Sequence, residues 1–292
     1  MQKENNINKL INEAELFLNA LNYKPQHIYQ NLPGMAWIGH IPFAYWLTAH
    51  LKPKRFVELG THGGGSYFAF CESVKKNKLA TQCFAIDTWQ GDPHLTYGED
   101  VFNGVNAYNK LKYSEFSKLL RMTFDEACEE FEEQSIDILH IDGTHTYEAV
   151  KNDFQRWHPK IVNGGVILFH DTQVKENDFG VFKLWDEIKS NSPENCYEFT
   201  HSYGLGIYLK EPANSKLKQL ETNKIMIKKI MGVFERLGID LHRNAMNGIQ
   251  ISKEQAREAF RDLMKRNSVL ANEIIKLSGS IKNDQIEISP FS

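Results

Sequence analysis

One stretch, Arg55-Phe-Val-Glu-Leu-Gly-Thr-His-Gly-Gly-Gly-Ser66, constrains the fold of this chain more than any other. Phe56, Val57 and Leu59 form an apolar run interrupted by Glu58, which breaks into Gly60, Gly63, Gly64 and Gly65. An amphipathic run from Ser66 follows at once. This pattern reads as a strand, a tight turn and a helix start, which together carry backbone N–H groups and a helix N-terminus up to a ligand. A Cβ in such a turn obstructs both positive φ and the ligand's approach. A glycine-rich turn without a ligand has the same residues, so the strands that follow must decide between the two.

From Arg55 onward, short apolar segments at 56–59, 82–86, 118–122, 136–141 and 166–169 alternate with helical ones at 66–76, 99–112, 124–132 and 146–157. That rhythm gives a mostly parallel sheet with helices on both faces, an α/β Rossmann-like fold. A helix over 180–190 then leads to strands at 196–200 and 206–209. The short link Ser202-Tyr203-Gly204 makes these two an antiparallel hairpin at the sheet edge. Upstream, helices are expected over 7–21 and over 42–51, the second with Pro42 in its first turn and Lys52-Pro53 as its stop. Pro212 marks a change of composition. Helical stretches are expected at 214–237 and 252–278, separated by Gly238, Asn247 and Gly248. Over 211–292 there are 14 Lys and Arg against 10 Asp and Glu, so the tail is basic and the body acidic. The division read from this is an N-terminal helical cap (1–54), a ligand-binding α/β domain (55–211) and a helical C-terminal extension (212–292).

With 41% hydrophobic and 24% charged residues, the 292-residue chain has the balance of a soluble globular protein. A net charge of -3 argues against general nucleic-acid binding, which needs a basic surface. Cys71, Cys83, Cys128 and Cys196 are scattered, as free thiols in a reducing cytoplasm would be. No apolar run is long enough to span a membrane, and the polar N-terminus lacks the apolar core of a signal peptide.

Asp87 closes the second strand, where an acid in sheets of this type accepts hydrogen bonds from a ribose diol. Glu58, two positions before Gly60, is unfavourable beside a dinucleotide pyrophosphate. It suits S-adenosylmethionine, which carries a sulfonium and an ammonium and no phosphate. The segment Ile136-Asp-Ile-Leu-His-Ile-Asp-Gly-Thr-His-Thr-Tyr147 ends a buried strand in Asp142 and presents His145 and Tyr147 at the sheet's carboxyl edge. The next strand ends in His170-Asp171. Asp142, His170 and Asp171 are candidate ligands for Mg²⁺ or Mn²⁺, since oxygen donors with one imidazole suit hard cations. The competing reading makes Asp142 a helix cap and His170-Asp171 a plain strand end. His145, with an ordinary imidazole value near about 6.5, is the natural general base. His140, inside the strand, is expected as a core histidine. Trp89, His94 and Tyr97, in the loop after Asp87, together with Tyr147, are candidates for holding an acceptor by stacking and hydrogen bonding. Trp89 is equally a candidate for adenine packing or for the core.

With these residues in place, the chain resembles the class I S-adenosylmethionine-dependent methyltransferases of the family 24 type, sugar and small-molecule O-methyltransferases of bacterial surface-polysaccharide pathways. The likeness runs from Trp37-Ile-Gly-His40 to Leu209. It is carried by Phe56–Tyr67, Asp87-Thr-Trp-Gln-Gly-Asp92, Leu139–Tyr147, Trp157–Gly165 and His170-Asp171. It implies cofactor contacts from Glu58, Gly60 and Asp87, metal ligation by Asp142 and Asp171, and His145 as the base. Thr61, Gly63, Ser66, Thr88, Trp89 and Asp142 are further candidate cofactor contacts, and Asp142 is a candidate catalytic residue beside His145. Related metal-dependent members often carry an acid or amide where this chain has His170. The expected activity is methyl transfer to a hydroxyl of a sugar or glycan precursor. The tail would serve as a homo-oligomer contact or a dock for a glycosyltransferase. A non-catalytic nucleotide-binding scaffold and an NAD-dependent oxidoreductase are the alternatives.

Overall fold

The computed structural model describes residues 36–91, 99–211 and 224–246. The helices expected at 7–21 and 252–278, and the loop residues His94 and Tyr97, lie outside them.

A 3₁₀ turn, Ala36–His40, opens the described chain and runs into α1 (Ile41–Leu51). The sheet is built from β1 (Arg55–Leu59), β2 (Gln82–Asp87), β3 (Ser117–Arg121), β4 (Ile136–Ile141), β5 (Ile161–His170), β6 (Cys196–Phe199) and β7 (Leu205–Leu209). Between the strands lie α2 (Gly65–Lys76), α3 (Glu99–Lys112), α4 (Phe124–Cys128), α5 (Tyr147–Trp157) and α6 (Val181–Asn191), and α7 (Lys224–Met246) follows the sheet. The strand order is β3-β2-β1-β4-β5-β7-β6. The first five strands in sequence pair in parallel, whereas β7 is antiparallel to both β5 and β6. The order reverses between β1 and β4, and in an open α/β sheet the carboxyl ends of the strands beside such a reversal form the ligand crevice.

Alternation along the strands divides the core in two. Phe56, Ala85, Ile138 and Leu168 face the 3₁₀ turn, α1 and α2. Val57, Leu59, Ile86, Leu139, Ile141, Ile167 and Phe169 face α4, α5 and α6. Helix α1 is buried on nearly every side because it packs on both α2 and α7. Residues 36–51 thus share the core of the sheet.

Three local features depart from the sequence reading. Helix α4 ends at Cys128, and β5 begins five residues early, at Ile161. Helix α7 continues through Gly238, where a break was expected. Glycine inside a helix costs only about 1 kcal/mol, and close packing there, described below, demands it. No described helix is long and apolar enough to cross a membrane.

Candidate active site

The crevice is floored by the tips of β1 and β4. Gly60 holds φ +85°, and a Cβ on it would lie 2.0 Å from the Asp142 carbonyl oxygen. A backbone bond joins the two tips, with Asp142 N–H donating to Leu59 O at 2.8 Å, while Gly60 N–H donates to Ile86 O of β2 at 2.9 Å. The glycine that was expected to admit a ligand is therefore also required by β4.

Below this turn, Glu58 is fully buried, facing His140 across the β1–β4 pairing. Trp37 donates its indole N–H to His140 Nε2 at 3.1 Å, so the ring's proton sits on Nδ1 and is donated to Glu58 Oε2 at 2.8 Å. Burial raises the Glu58 carboxyl from its ordinary value, opposed by that bond. Its other oxygen, Oε1, is buried and lacks a partner among the described residues, as does Thr61 Oγ1. His140 is the core histidine expected. Trp37, its partner, was quoted in the sequence only as part of a resemblance. Its role depends on a contact 103 residues away.

At the tip of β2, Asp87 accepts from His62 N–H at 2.8 Å and from Trp89 N–H at 2.6 Å, one through each oxygen. Trp89 is 1% exposed, packs on Phe102 at 5.0 Å and donates its indole N–H to His62 O. It ties the β1 and β2 turns together from the core and offers no face to an acceptor, which corrects the expectation of stacking. Thr88 lies beside it, partly exposed, and its carbonyl accepts from Arg121 Nε at 3.3 Å. Gly63 and Ser66 lie in the turn and in the first turn of α2.

The tips of β4 and β5 bring four expected residues together. His145 Nε2 lies 2.9 Å from Asp171 Oδ2 and 3.7 Å from Asp142 Oδ1. His170 Nδ1 lies 3.2 Å from Asp142 Oδ1 and 3.3 Å from Asp171 Oδ2. Asp171 adopts φ 62°, a left-handed conformation that often marks functional sites in residues other than glycine. The cap of α5 is Thr146, which accepts from Ala149 N–H, so Asp142 is not used as a helix cap. His145 also stacks on Phe179 at 4.6 Å.

Charge in this cluster is lopsided. His170 Nε2 donates to the Ser202 carbonyl at 3.2 Å, while Nδ1 faces only carboxylates. Both nitrogens therefore carry protons. Burial would depress the His170 pKa, but Asp171 and Asp142 outweigh it and hold it well above the ordinary imidazole range. Burial likewise opposes protonation of His145, and the same two acids raise it to about 10. Asp142 and Asp171, although burial opposes ionisation, are kept below the usual carboxylate range by His170 and His145. The ordinary imidazole value assumed from sequence does not hold: His145 is protonated at neutral pH while both acids are bare.

One donor atom each from Asp142, His170 and Asp171 can be chosen so that all lie within 4.8 Å of one another. An imidazole that donates its far N–H to a backbone carbonyl is oriented as metal-bound histidines are. The set therefore fits a hard divalent cation in place of the Nδ1 proton. Tyr147 does not join the cluster. Its hydroxyl donates to Glu187 of α6 at 2.6 Å and accepts from Lys151, so it fastens α5 to α6.

A family described as a methyltransferase domain matches residues 57–172. An uncharacterized protein y4gI of Sinorhizobium fredii is 48% identical over 182 residues, 62% of this chain and 20% of its own length. An uncharacterized protein R132 of Acanthamoeba polyphaga mimivirus is 31% identical over 156 residues, 51% of this chain and 66% of its own. The chain thus spans from a fifth to just under two thirds of the length of these relatives. Among solved structures, the O-methyltransferase from Bacillus cereus in complex with SAH overlaps with a TM-score of 0.44 at 14% identity, covering 68% of this chain and 90% of that one. The matched segment spans β1 to the tip of β5, the strands that carry the crevice and the His-Asp cluster. Over that segment the chain is similar to a methyltransferase domain.

Proposed function

We propose that this chain transfers a methyl group from S-adenosylmethionine to a hydroxyl of a small molecule, of the sugar or glycan-precursor kind made for surface polysaccharides. The observation that carries the reading is the convergence of Asp142, His145, His170 and Asp171 beside the β1 turn. The resemblance in sequence supports the sugar, and a cation on paired acids suits two neighbouring hydroxyls.

S-adenosylmethionine supplies an electrophilic methyl on a sulfonium, and Mg²⁺ or Mn²⁺ supplies positive charge beside the acceptor oxygen. The chain's residues do the rest. Gly60, Thr61, Gly63 and Ser66 line the cofactor's approach. Glu58 Oε1 and Thr61 Oγ1 are the buried groups available to its polar atoms, and Asp87, at the tip of β2, receives the ribose diol, with Thr88 alongside. Asp142, on the β4 tip that backs Gly60, borders both halves. Asp142, His170 and Asp171 hold the cation. His145 is the proton acceptor: as the hydroxyl oxygen bonds to the methyl carbon and the carbon–sulfur bond breaks to leave S-adenosylhomocysteine, Nε2 takes the hydroxyl proton. A dication on the neighbouring acids would offset the negative charge that otherwise fixes a proton on this ring. Most of the acceleration then comes from alignment of donor and acceptor. His94 and Tyr97 remain candidates for the acceptor.

Calorimetry with S-adenosylhomocysteine, then an assay of its formation over a panel of sugar and phenolic hydroxyls, tests the reading. In His145→Ala, turnover is expected to fall about 10³-fold while S-adenosylhomocysteine affinity stays within about twofold. Equal loss of both would make His145 structural. Chelation by EDTA is expected to abolish turnover, with Mg²⁺ or Mn²⁺ restoring it. Undiminished turnover in EDTA would remove the cation from the reading.

A further inference from the structure

The carbonyl that orients His170 belongs to Ser202, in the turn between β6 and β7. Ser202 and Tyr203 both hold positive φ, 51° and 65°, which side chains with a Cβ adopt only where the surroundings fix them. Here the surroundings are complete. Ser202 O accepts from His170 Nε2 at 3.2 Å and from His40 Nε2 at 3.1 Å. Tyr203 O accepts from Gln173 N–H at 2.8 Å, and Gly204 N–H donates to His201 O at 2.9 Å. The Ser202 hydroxyl lies 3.4 Å from His242 Nδ1 of α7.

Helix α7 reaches this turn by very close packing. A Cβ on Gly238 would fall 2.1 Å from the Gly39 carbonyl oxygen and 2.3 Å from His201 Nε2. His201 Nε2 itself donates to that carbonyl at 3.2 Å. A Cβ on Gly39 would fall 2.1 Å from Ser202 Oγ. Helix α7, the 3₁₀ turn and the β6–β7 turn therefore interlock through Gly238, Gly39, His201 and Ser202. The far side of Ser202 is the ring that faces Asp142 and Asp171.

We propose that Ser202 is a positioning residue for methyl transfer, and that helix α7 of the C-terminal extension keeps it in place through His242 and Gly238. The extension is then part of the catalytic apparatus, although it lies beyond the matched domain and touches neither reacting group. The proposal rests on the methyl-transfer reading for its consequence, but the link itself can be observed without turnover.

The test uses the full chain labelled with ¹⁵N-histidine. In the wild type the His170 Nε2–H, assigned by its loss in His170→Gln, is expected to exchange slowly because the Ser202 carbonyl holds it. Gly238→Ala is expected to speed that exchange by about tenfold or more, and His242→Ala by about threefold. S-adenosylhomocysteine affinity should stay within about twofold in both. His242→Asn, whose amide can occupy the place of Nδ1, is expected to restore slow exchange. With the acceptor found for the wild type, kcat should fall about tenfold in Gly238→Ala at unchanged KM for S-adenosylmethionine. Wild-type exchange rates in both variants would overturn the link; where Gly238→Ala folds poorly, a wild-type rate in His242→Ala alone overturns it, since that change disturbs no backbone. Joint loss of the His170 signal and of S-adenosylhomocysteine affinity would also overturn it, reducing α7 to general support. Failure of the wild type to bind S-adenosylhomocysteine would instead defeat the methyltransferase reading, while the exchange rates still report on the link.

Discussion

Gly60 shows how much a single position decides here. Its φ of +85° is unfavourable for any side chain, and the atom a Cβ would strike is backbone, which cannot rotate aside. Gly60→Ala is therefore expected to cost about 2–4 kcal/mol in urea unfolding, with S-adenosylhomocysteine binding lost as well. A change below about 0.5 kcal/mol would show that β1 and β4 can part at their tips. The glycine is legible in the sequence, but half of its reason is not, because the carbonyl it faces belongs to Asp142. His145 makes the same point in electrostatics. The letters His-Thr-Tyr and His-Asp announce titratable groups, yet the pKa of about 10 arises only when two strand tips set both acids beside the ring.

At the scale of elements, helix α5 carries a strain that the sequence conceals. Asp153 is buried on it, and burial first, then the nearby Asp125, raises its pKa to about 7. Because the folded value lies above the unfolded one, the folded state binds the proton more tightly, and stability falls as pH rises from about 4 to about 7. Asp153→Asn is expected to remove that penalty. The melting temperature should rise at pH 8 and stay nearly unchanged at pH 4, with a gain of at most about 4 kcal/mol. An equal shift at both values would point to packing instead of charge. Helix boundaries follow the same division. The start of α4 is written locally, because Thr123 and Glu126 form a reciprocal capping box. The course of α7 through Gly238 is not, because the glycine answers to the 3₁₀ turn two hundred residues earlier.

For the whole molecule, the question is whether the C-terminal extension and the sheet share one core. Phe234 of α7 is 1% exposed, with its ring 5.8 Å from Phe43 and 5.5 Å from Trp46. Phe234→Ala is expected to lower the stability of the entire chain by about 3–5 kcal/mol, seen as one cooperative calorimetric transition at a lower temperature. An unchanged main transition would mean that α7 folds separately. What the sequence determined by itself was the alternation of strands and helices, the glycine turn and the acids and histidines at strand ends, since each depends on periodicity and local backbone preference. Only the tertiary structure decided that Trp89 and Tyr147 serve packing and helix contacts, that His145 is held protonated, and that Ser202 and α7 stand behind His170. Burial, charge pairing and close approach are properties of residues distant in the chain, and they come into being only when the sheet closes and its tips meet.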